Sequence, residues 1–375
     1  MNPLIKLHQF GQSIYLDEIR RSWIHEGQLQ KLIDEDGLRG VTSNPAIFQK
    51  AIANSQDYDA AIREHAKQGH DALATYETLV VTDIQDAADL FRPMFDASDG
   101  EHGYVSLEVS PELAHDEEGT VAEGLHLWER LARPNVFIKV PATDAGVPAI
   151  RRLIAAGVNV NVTLLFGLER YRQVVDAYLS GLEERRQRGE AVDHVASVAS
   201  FFLSRIDVEV DPRLDAVVNN GGPQASAAQQ LRGTAAVSSA KQAYQVYLAE
   251  FEGGERFLEL AEAGAKPQRL LWASTSTKDP SYPDVKYVEP LIGQDTINTL
   301  PLETLEAYRD HGAPGADRVL EGANDAAALL EALSGVGVDL HGVVRQLEQE
   351  GVEKFVKPFR SLLGTLSEAL AKAPA

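Results

Sequence analysis

Cysteine is absent from the 375 residues. Disulfides, zinc–thiolate sites, iron–sulfur clusters and thiol nucleophiles are thereby excluded, and the cytosol is the default compartment. Basic residues are scarce: Lys+Arg 35 against Asp+Glu 56 leaves a net charge of −21. That balance disfavours nucleic acid and anionic membranes as partners, while a small phosphorylated ligand needs only one local cationic pocket. No stretch approaches the ~18 uninterrupted apolar residues of a membrane helix. The opening Met1-Asn2-Pro3-Leu4-Ile5-Lys6 has neither signal-peptide nor transit-peptide character. The ten histidines, His102 and His115 among them, form no HxH or HExxH pair, so no metal site is expected. Phosphate-loop and dinucleotide fingerprints are missing too, and Gly253-Gly254 reads as a helix break. What remains, 44% hydrophobic and 24% charged, is the ordinary composition of a folded globular chain.

Eight short β-branched runs stand out among Ala-, Glu-, Leu- and Arg-rich segments. They are 13–17 (SIYLD), 40–44 (GVTSN), 104–110 (YVSLEVS), 136–143 (VFIKVPAT), 158–165 (VNVNVTLL), 195–203 (VASVASFFL), 269–275 (RLLWAST) and 285–291 (VKYVEPL). Helix-like segments separate most of them, for example 120–133, 145–155, 168–188 and 204–218. Alternating strands and helices imply parallel pairing through right-handed crossovers, and eight such units predict a closed (β/α)8 barrel. Residues 54–98 and 224–263 read as extra helices, and 219–223 as a loop between two helices. No linker divides the chain, so residues 1–375 are expected to form a single domain. Residues from about 304 to 375 form a mostly helical C-terminal extension that ends in a frayed tail at 371–375.

Strand side chains alternate between two faces, and here one face is polar. Val136, Ile138 and Val140 oppose Phe137, Lys139 and Pro141; Val105, Leu107 and Val109 oppose Ser106, Glu108 and Ser110. Val158, Val160, Val162 and Leu164 oppose Asn159, Asn161 and Thr163. Ile14 and Leu16 oppose Asp17, and Thr42 and Asn44 share a face. Parallel strands covered on both faces normally read as continuous aliphatic runs. The aliphatic face suits packing beneath helices, which sends the polar set into the barrel, where charges are costly unless paired. Lys139 is the centre of that set. Burial disfavours an ammonium, and a neutral lysine amine attacks carbonyls to give a Schiff base, an electron sink for carbon–carbon chemistry. Periodicity alone leaves a structural ion pair of Lys139 with Glu108 or Asp17 equally open.

The residues around it carry more. The segments GVTSNPAIF (40–48), FIKVPAT (137–143), NVNVTLLF (159–166), LLWASTSTKDP (270–280) and YVEPLIGQDTINTLP (287–301) resemble transaldolase. GQSIYLDEIRR (11–21) and VASFFLSRIDVEVD (198–211) are similar to it as well. The resemblance runs in order over about residues 1–365 and is closest to the longer bacterial type. It implies transfer of a dihydroxyacetone unit from sedoheptulose 7-phosphate to glyceraldehyde 3-phosphate, a step of the non-oxidative pentose phosphate pathway, with no metal or organic cofactor. Its partners would be small sugar phosphates, with no nucleic acid or membrane.

By the same resemblance Lys139 would be the Schiff-base lysine and Glu108 the carboxyl that moves protons through a water. Asp17 would handle the substrate hydroxyl proton and Thr163 would position the water. Asn44 and Asn161 would bind the dihydroxyacetone hydroxyls, with Ser200 and Phe202 along the carbon chain. Arg205, at a strand-to-helix junction, would bind phosphate. Shorter relatives carry a second arginine after the seventh strand; here Ser274 and Ser276 share a face, and Lys278 is the only nearby cation. Lys278 would take that arginine's place as a point charge. Plainer readings stand beside these: Asp17 as a helix cap, Asn44 as a pre-proline turn residue, Thr163 as a β-former. Fructose 6-phosphate cleavage to free dihydroxyacetone, or non-catalytic sugar-phosphate binding, are the alternative functions. Relatives with the lyase activity are shorter and have tyrosine where Phe202 stands. For oligomeric state the sequence leaves monomer or homodimer open.

Overall fold

The strand Val136–Pro141 shows how short runs become barrel staves. Ala132, at φ 46°, ends the helix Glu117–Leu131, and four residues later β-branched and aromatic side chains take up a pleat that suits them. The computed structural model describes residues 2–372. Its eight strands are β1 (Gln12–Leu16), β2 (Gly40–Val41), β3 (Tyr104–Glu108), β4 (Val136–Pro141), β5 (Val160–Leu165), β6 (Ser197–Phe202), β7 (Arg269–Ala273) and β8 (Thr296–Leu300). All pair in parallel and in sequence order, and β8 returns to β1 to close the barrel. Helices such as Gly146–Ala155, Leu168–Gln187 and Ser204–Asn220 lie between consecutive strands, so the expected (β/α)8 architecture stands.

The eighth strand lies beyond the run expected to form it. Residues 285–291 were expected to supply it, but they form turns and a short 3-10 helix, Glu289–Leu291. Pro290 lacks the N–H that a strand bonded on both edges must donate. Lys286 and Tyr287 turn instead to Asp207 on the helix Ser204–Asn220. The stave is Thr296–Leu300, whose Gln12↔Thr296 through Leu16↔Leu300 register closes the cylinder. A second difference lies at the end of β5. Register shifts between Val162 and Leu165, and Leu164 adopts φ 53°, so the simple alternation stops at Thr163.

Inside the barrel, side chains stack in layers. Tyr104 and Phe137 stack at 4.2 Å between ring centroids near the N-terminal end. Above them the Ser200 hydroxyl donates to Asn161 Oδ1 at 2.7 Å, and Asn161 Nδ2 donates to the Ser106 hydroxyl at 3.1 Å. Glu108 and Lys139 are register neighbours across β3 and β4, and Lys139 and Asn161 across β4 and β5. The polar face therefore does point inward.

The extra helices are present: Asp59–Lys67 and Ala72–Ala97 after β2, and Ala225–Leu231, Ala235–Tyr247 and Glu255–Ala261 after β6. Asp116 caps Glu117–Leu131 by accepting from Gly119 N, and Glu117 and Glu118 complement its dipole. Beyond β8 come Leu302–His311, Ala323–Gly335 and the long C-terminal helix Leu340–Lys372. Residues 373–375 of the expected tail lie outside the described residues; 371 and 372 are helical. The C-terminal helix buries one stripe, Val343, Leu347, Gly351, Phe355, Phe359, Leu362 and Leu366, at helical spacing. It packs on Pro45–Ala53, Ala72–Ala97, Ser204–Asn220 and the end of β5, and so crosses the C-terminal mouth of the barrel. No single described helix is long and apolar enough to cross a membrane.

Candidate active site

Most of the strand-end residues singled out from the sequence converge on one cavity of about 270 Å3 at the C-terminal mouth. Asp17, Asn44, Lys139, Ser200, Phe202, Arg205, Ser274 and Lys278 line it. Glu108, Asn161 and Thr163 are buried behind the cavity wall, the first two level with Lys139 across the sheet and Thr163 level with Pro141. A site at the C-terminal face is where a parallel barrel places its chemistry.

Lys139 is 4% exposed. Its ammonium donates to the Ser43 carbonyl at 3.0 Å and stands 3.5 Å from Glu108 Oε2, at ion-pair distance without hydrogen-bond geometry. Burial pushes the Glu108 carboxyl up to about 7, against the opposing pull of the Lys139 charge. Glu108 Oε2 and Thr163 Oγ1 are buried without a hydrogen-bond partner. Asp17 follows β1 directly and accepts from the Thr42 hydroxyl at 2.7 Å. Burial raises its pKa too, opposed first by Lys139. It does not cap the following helix, which starts at Arg21 behind Arg20.

Asn44 joins two of the sequence readings. Pro45 opens the helix Pro45–Ala53, and Asn44 is its N-cap, with Oδ1 accepting from Ala46 N and Ile47 N at 3.0 Å each. That leaves Nδ2 as the group with which it can meet a ligand.

Arg205 is the second residue of Ser204–Asn220 and is half-buried. Its Cζ lies 5.4 Å from the Phe202 ring centroid and 6.0 Å from that of Phe355. No described carboxylate pairs with it, and its Nη1 is buried without a partner. A guanidinium held between two rings at a helix N-terminus is equipped to take an oxyanion. Ser274 departs from the extended shape expected of it, at φ 54°, and its hydroxyl meets that of Ser204 at 2.9 Å. The Lys278 ammonium donates to the Ser276 hydroxyl.

Sequence reasoning missed Thr299, Pro301, Glu303 and Phe355, all of which line the cavity, and gave Thr42 and Ser276 no role. The first two follow from the misplaced eighth strand: TINTLP carries them, and its β-branched Thr296, Ile297 and Thr299 were the available signal. Phe355 comes from the C-terminal helix, with its ring centroid 5.8 Å from Lys139 Nζ. A larger cavity, about 450 Å3, lies at the other end between Tyr15, Tyr104, Phe137 and Arg269. There the Arg269 guanidinium is spent on the Glu101, Asp295 and Thr296 carbonyls and the Ser13 hydroxyl. It offers no comparable reacting groups.

The chain is similar to known proteins over nearly its whole length. The pattern of the transaldolase/fructose-6-phosphate aldolase family matches residues 14–366. A transaldolase of Saccharopolyspora erythraea is 48% identical over 367 residues, 98% of this chain and 97% of its own. A Nostoc protein named transaldolase 2 is 45% identical over 371 residues, covering 98% and 97%. A transaldolase of Mycobacterium tuberculosis is 46% identical over 363 residues, covering 96% of each. With its barrel, its buried strand lysine and this end-to-end similarity, the chain belongs to the transaldolase/fructose-6-phosphate aldolase family.

Proposed function

We propose that the chain is a transaldolase working through a Schiff base at Lys139. The observation that carries the reading is the buried Lys139 beside Glu108, opening on a cavity that also holds an unpaired Arg205. The substrates are sugar phosphates, sedoheptulose 7-phosphate as donor and glyceraldehyde 3-phosphate as acceptor, giving erythrose 4-phosphate and fructose 6-phosphate. The whole of 1–375 acts as one domain, since the C-terminal helix supplies part of the cavity wall.

The Lys139 amine adds to the ketose carbonyl, and loss of water from the carbinolamine gives the iminium. Glu108, with a pKa near neutrality, can both give and take the proton this requires. Glu108 Oε2 and Thr163 Oγ1, which have no hydrogen-bond partner, suit a water as the carrier. Asp17, across the cavity, takes the proton from the hydroxyl next to the breaking carbon–carbon bond. The electron pair of that bond passes to the iminium and leaves an enamine as the aldose phosphate departs. An incoming aldehyde is attacked by the enamine in the reverse sequence, and hydrolysis frees the new ketose. Asn44 Nδ2 and the Ser200 hydroxyl, which Asn161 and through it Ser106 hold in place, bind hydroxyls of the three-carbon unit. Arg205 and Lys278 take the phosphate.

Borohydride reduction in the presence of fructose 6-phosphate tests the reading. A dihydroxyacetone-derived mass should appear on Lys139 and vanish in Lys139→Arg. A label on another lysine would overturn it. Release of free dihydroxyacetone as the main product, without transfer to glyceraldehyde 3-phosphate, would favour the lyase instead.

A further inference from the structure

Arg205 opens the helix Ser204–Asn220 at the cavity, and the same helix carries Asp207, Asp211 and Asp215 one turn apart. All three reach, directly or through Arg232, to the connection between β7 and β8. Asp207 Oδ2 accepts from Lys286 Nζ at 2.8 Å and from the Tyr287 hydroxyl at 2.9 Å. Asp211 Oδ2 accepts from the Tyr282 hydroxyl at 2.7 Å. Arg232 bridges outward, with Nε to Asp215 at 2.9 Å and Nη2 to Asp279 at 2.9 Å. Its Nη1 donates to the Tyr282 hydroxyl at 2.9 Å, and Lys286 Nζ sits 3.5 Å from the Tyr282 ring centroid. Asp279 is the residue after Lys278, which borders the cavity together with Arg205.

The cations of this region differ in their partners. Arg232 is neutralised by Asp215 and Asp279, and Lys286 by Asp207. Lys278 has no carboxylate partner among the described residues. A connection this long, with only a short 3-10 turn inside it, would otherwise spend entropy each time it presented Lys278 to a ligand. The geometry points to a latch: the aspartate face of the Arg205 helix, clamped through Arg232 and Tyr282, fixes Lys278 beside Arg205, so that one helix sets the positions of both phosphate-binding cations. Arg232 and Tyr282 are then positioning residues, acting through Lys278 without touching substrate. The inference rests on the proposed phosphate site and goes beyond it by naming what pre-organises that site.

Steady-state kinetics on fructose 6-phosphate test it, together with borohydride labelling of Lys139 by unphosphorylated dihydroxyacetone. Arg232→Gln should raise KM by about 3- to 20-fold with kcat within about twofold and labelling intact. Tyr282→Phe, which removes one hydroxyl and keeps the packing, should raise KM by about 2- to 5-fold and serves if Arg232→Gln fails to fold. Because the latch acts through Lys278, Arg232→Gln combined with Lys278→Ala should be no worse than Lys278→Ala alone. Additive effects, or an unchanged KM in both latch variants while Lys278→Ala raises it, would overturn the latch. An unchanged KM in Lys278→Ala would overturn it as well, with the Schiff-base reading intact as long as Lys139 takes the label. Loss of the Lys139 label in the unaltered enzyme would instead overturn the catalytic reading itself.

Discussion

Two residues show how one side chain can hold a structural and a chemical duty that substitution separates. Asn44 caps Pro45–Ala53 through Oδ1, so Asn44→Asp keeps the acceptor and should leave stability within about 0.5 kcal/mol, whereas Asn44→Ala should cost about 1 kcal/mol. Both lose the Nδ2 donor, and the aspartate adds a negative charge to a cavity that already holds Asp17. kcat/KM should fall at least about tenfold in each; thermal melts beside kinetics check the split, and an active Asn44→Asp would sink the ligand role. Glu108 is the second case. Its carboxyl titrates near 4.5 in the unfolded chain and at about 7 in the barrel. Between those values the folded protein holds a proton that the unfolded chain has lost, so stability falls as pH rises from about 4.5 to about 7 and then levels. The loss is on the order of 1–3 kcal/mol. Glu108→Gln should remove that share of the slope, leaving the shares of the same sign from Glu123, which burial also pushes up to about 7, and from Asp17, Asp83, Asp211 and Glu348, which burial raises too. Urea midpoints at pH 5 and pH 8 measure it; parallel curves for the two proteins would refute the burial of a titrating Glu108.

At the scale of elements, the C-terminal helix turns an open barrel mouth into a chamber. Phe355 is buried on its inward stripe and stands over both Lys139 and Arg205. An iminium or enamine must wait there for an aldehyde, and water reaching it first releases dihydroxyacetone. Phe355→Ala should therefore raise free dihydroxyacetone relative to transferred product by about three- to tenfold, with Lys139 still taking the borohydride label. A constant product ratio would show that water is excluded by other groups. This element also marks where sequence reading ran out. The 3.6-residue spacing of Val343, Leu347, Gly351 and Phe355 announces a buried face, but periodicity does not say whether that face lies on the barrel's flank or across its mouth. The β7–β8 connection failed for a related reason: VKYVEPL and TINTL have similar β-forming composition, and the choice was made by Pro290 and by the distant Asp207. Strand ends were misjudged where residues such as Asn44 and Ser274 leave the strand to cap or turn, and these are site residues.

Over the whole molecule, the barrel was legible because its inside is polar where chemistry sits. Glu108, Lys139 and Asn161 stand out against valine and isoleucine at a period of two, and register neighbours bring them together as that pattern implies. The two ends of the barrel divide labour, catalytic at the C-terminal face and closing at the N-terminal one. Closure depends on Arg269 of β7, which donates to the Ser13 hydroxyl of β1, to the Thr296 carbonyl of β8 and to the Asp295 and Glu101 carbonyls. Gln12 adds bonds to the Leu291 carbonyl and the Thr296 hydroxyl. Between this end and the cavity lie the Tyr104–Phe137 stack and the Ser106–Asn161–Ser200 chain. Arg269→Met keeps the bulk and strands several buried acceptors, and should cost about 2–4 kcal/mol. The folded fraction should keep kcat/KM within about twofold, because no reacting group moves. Urea denaturation and kinetics at low temperature read the two effects apart. If kcat/KM collapses while the fold persists, the polar layers transmit strain along the barrel axis, and the ends are not independent.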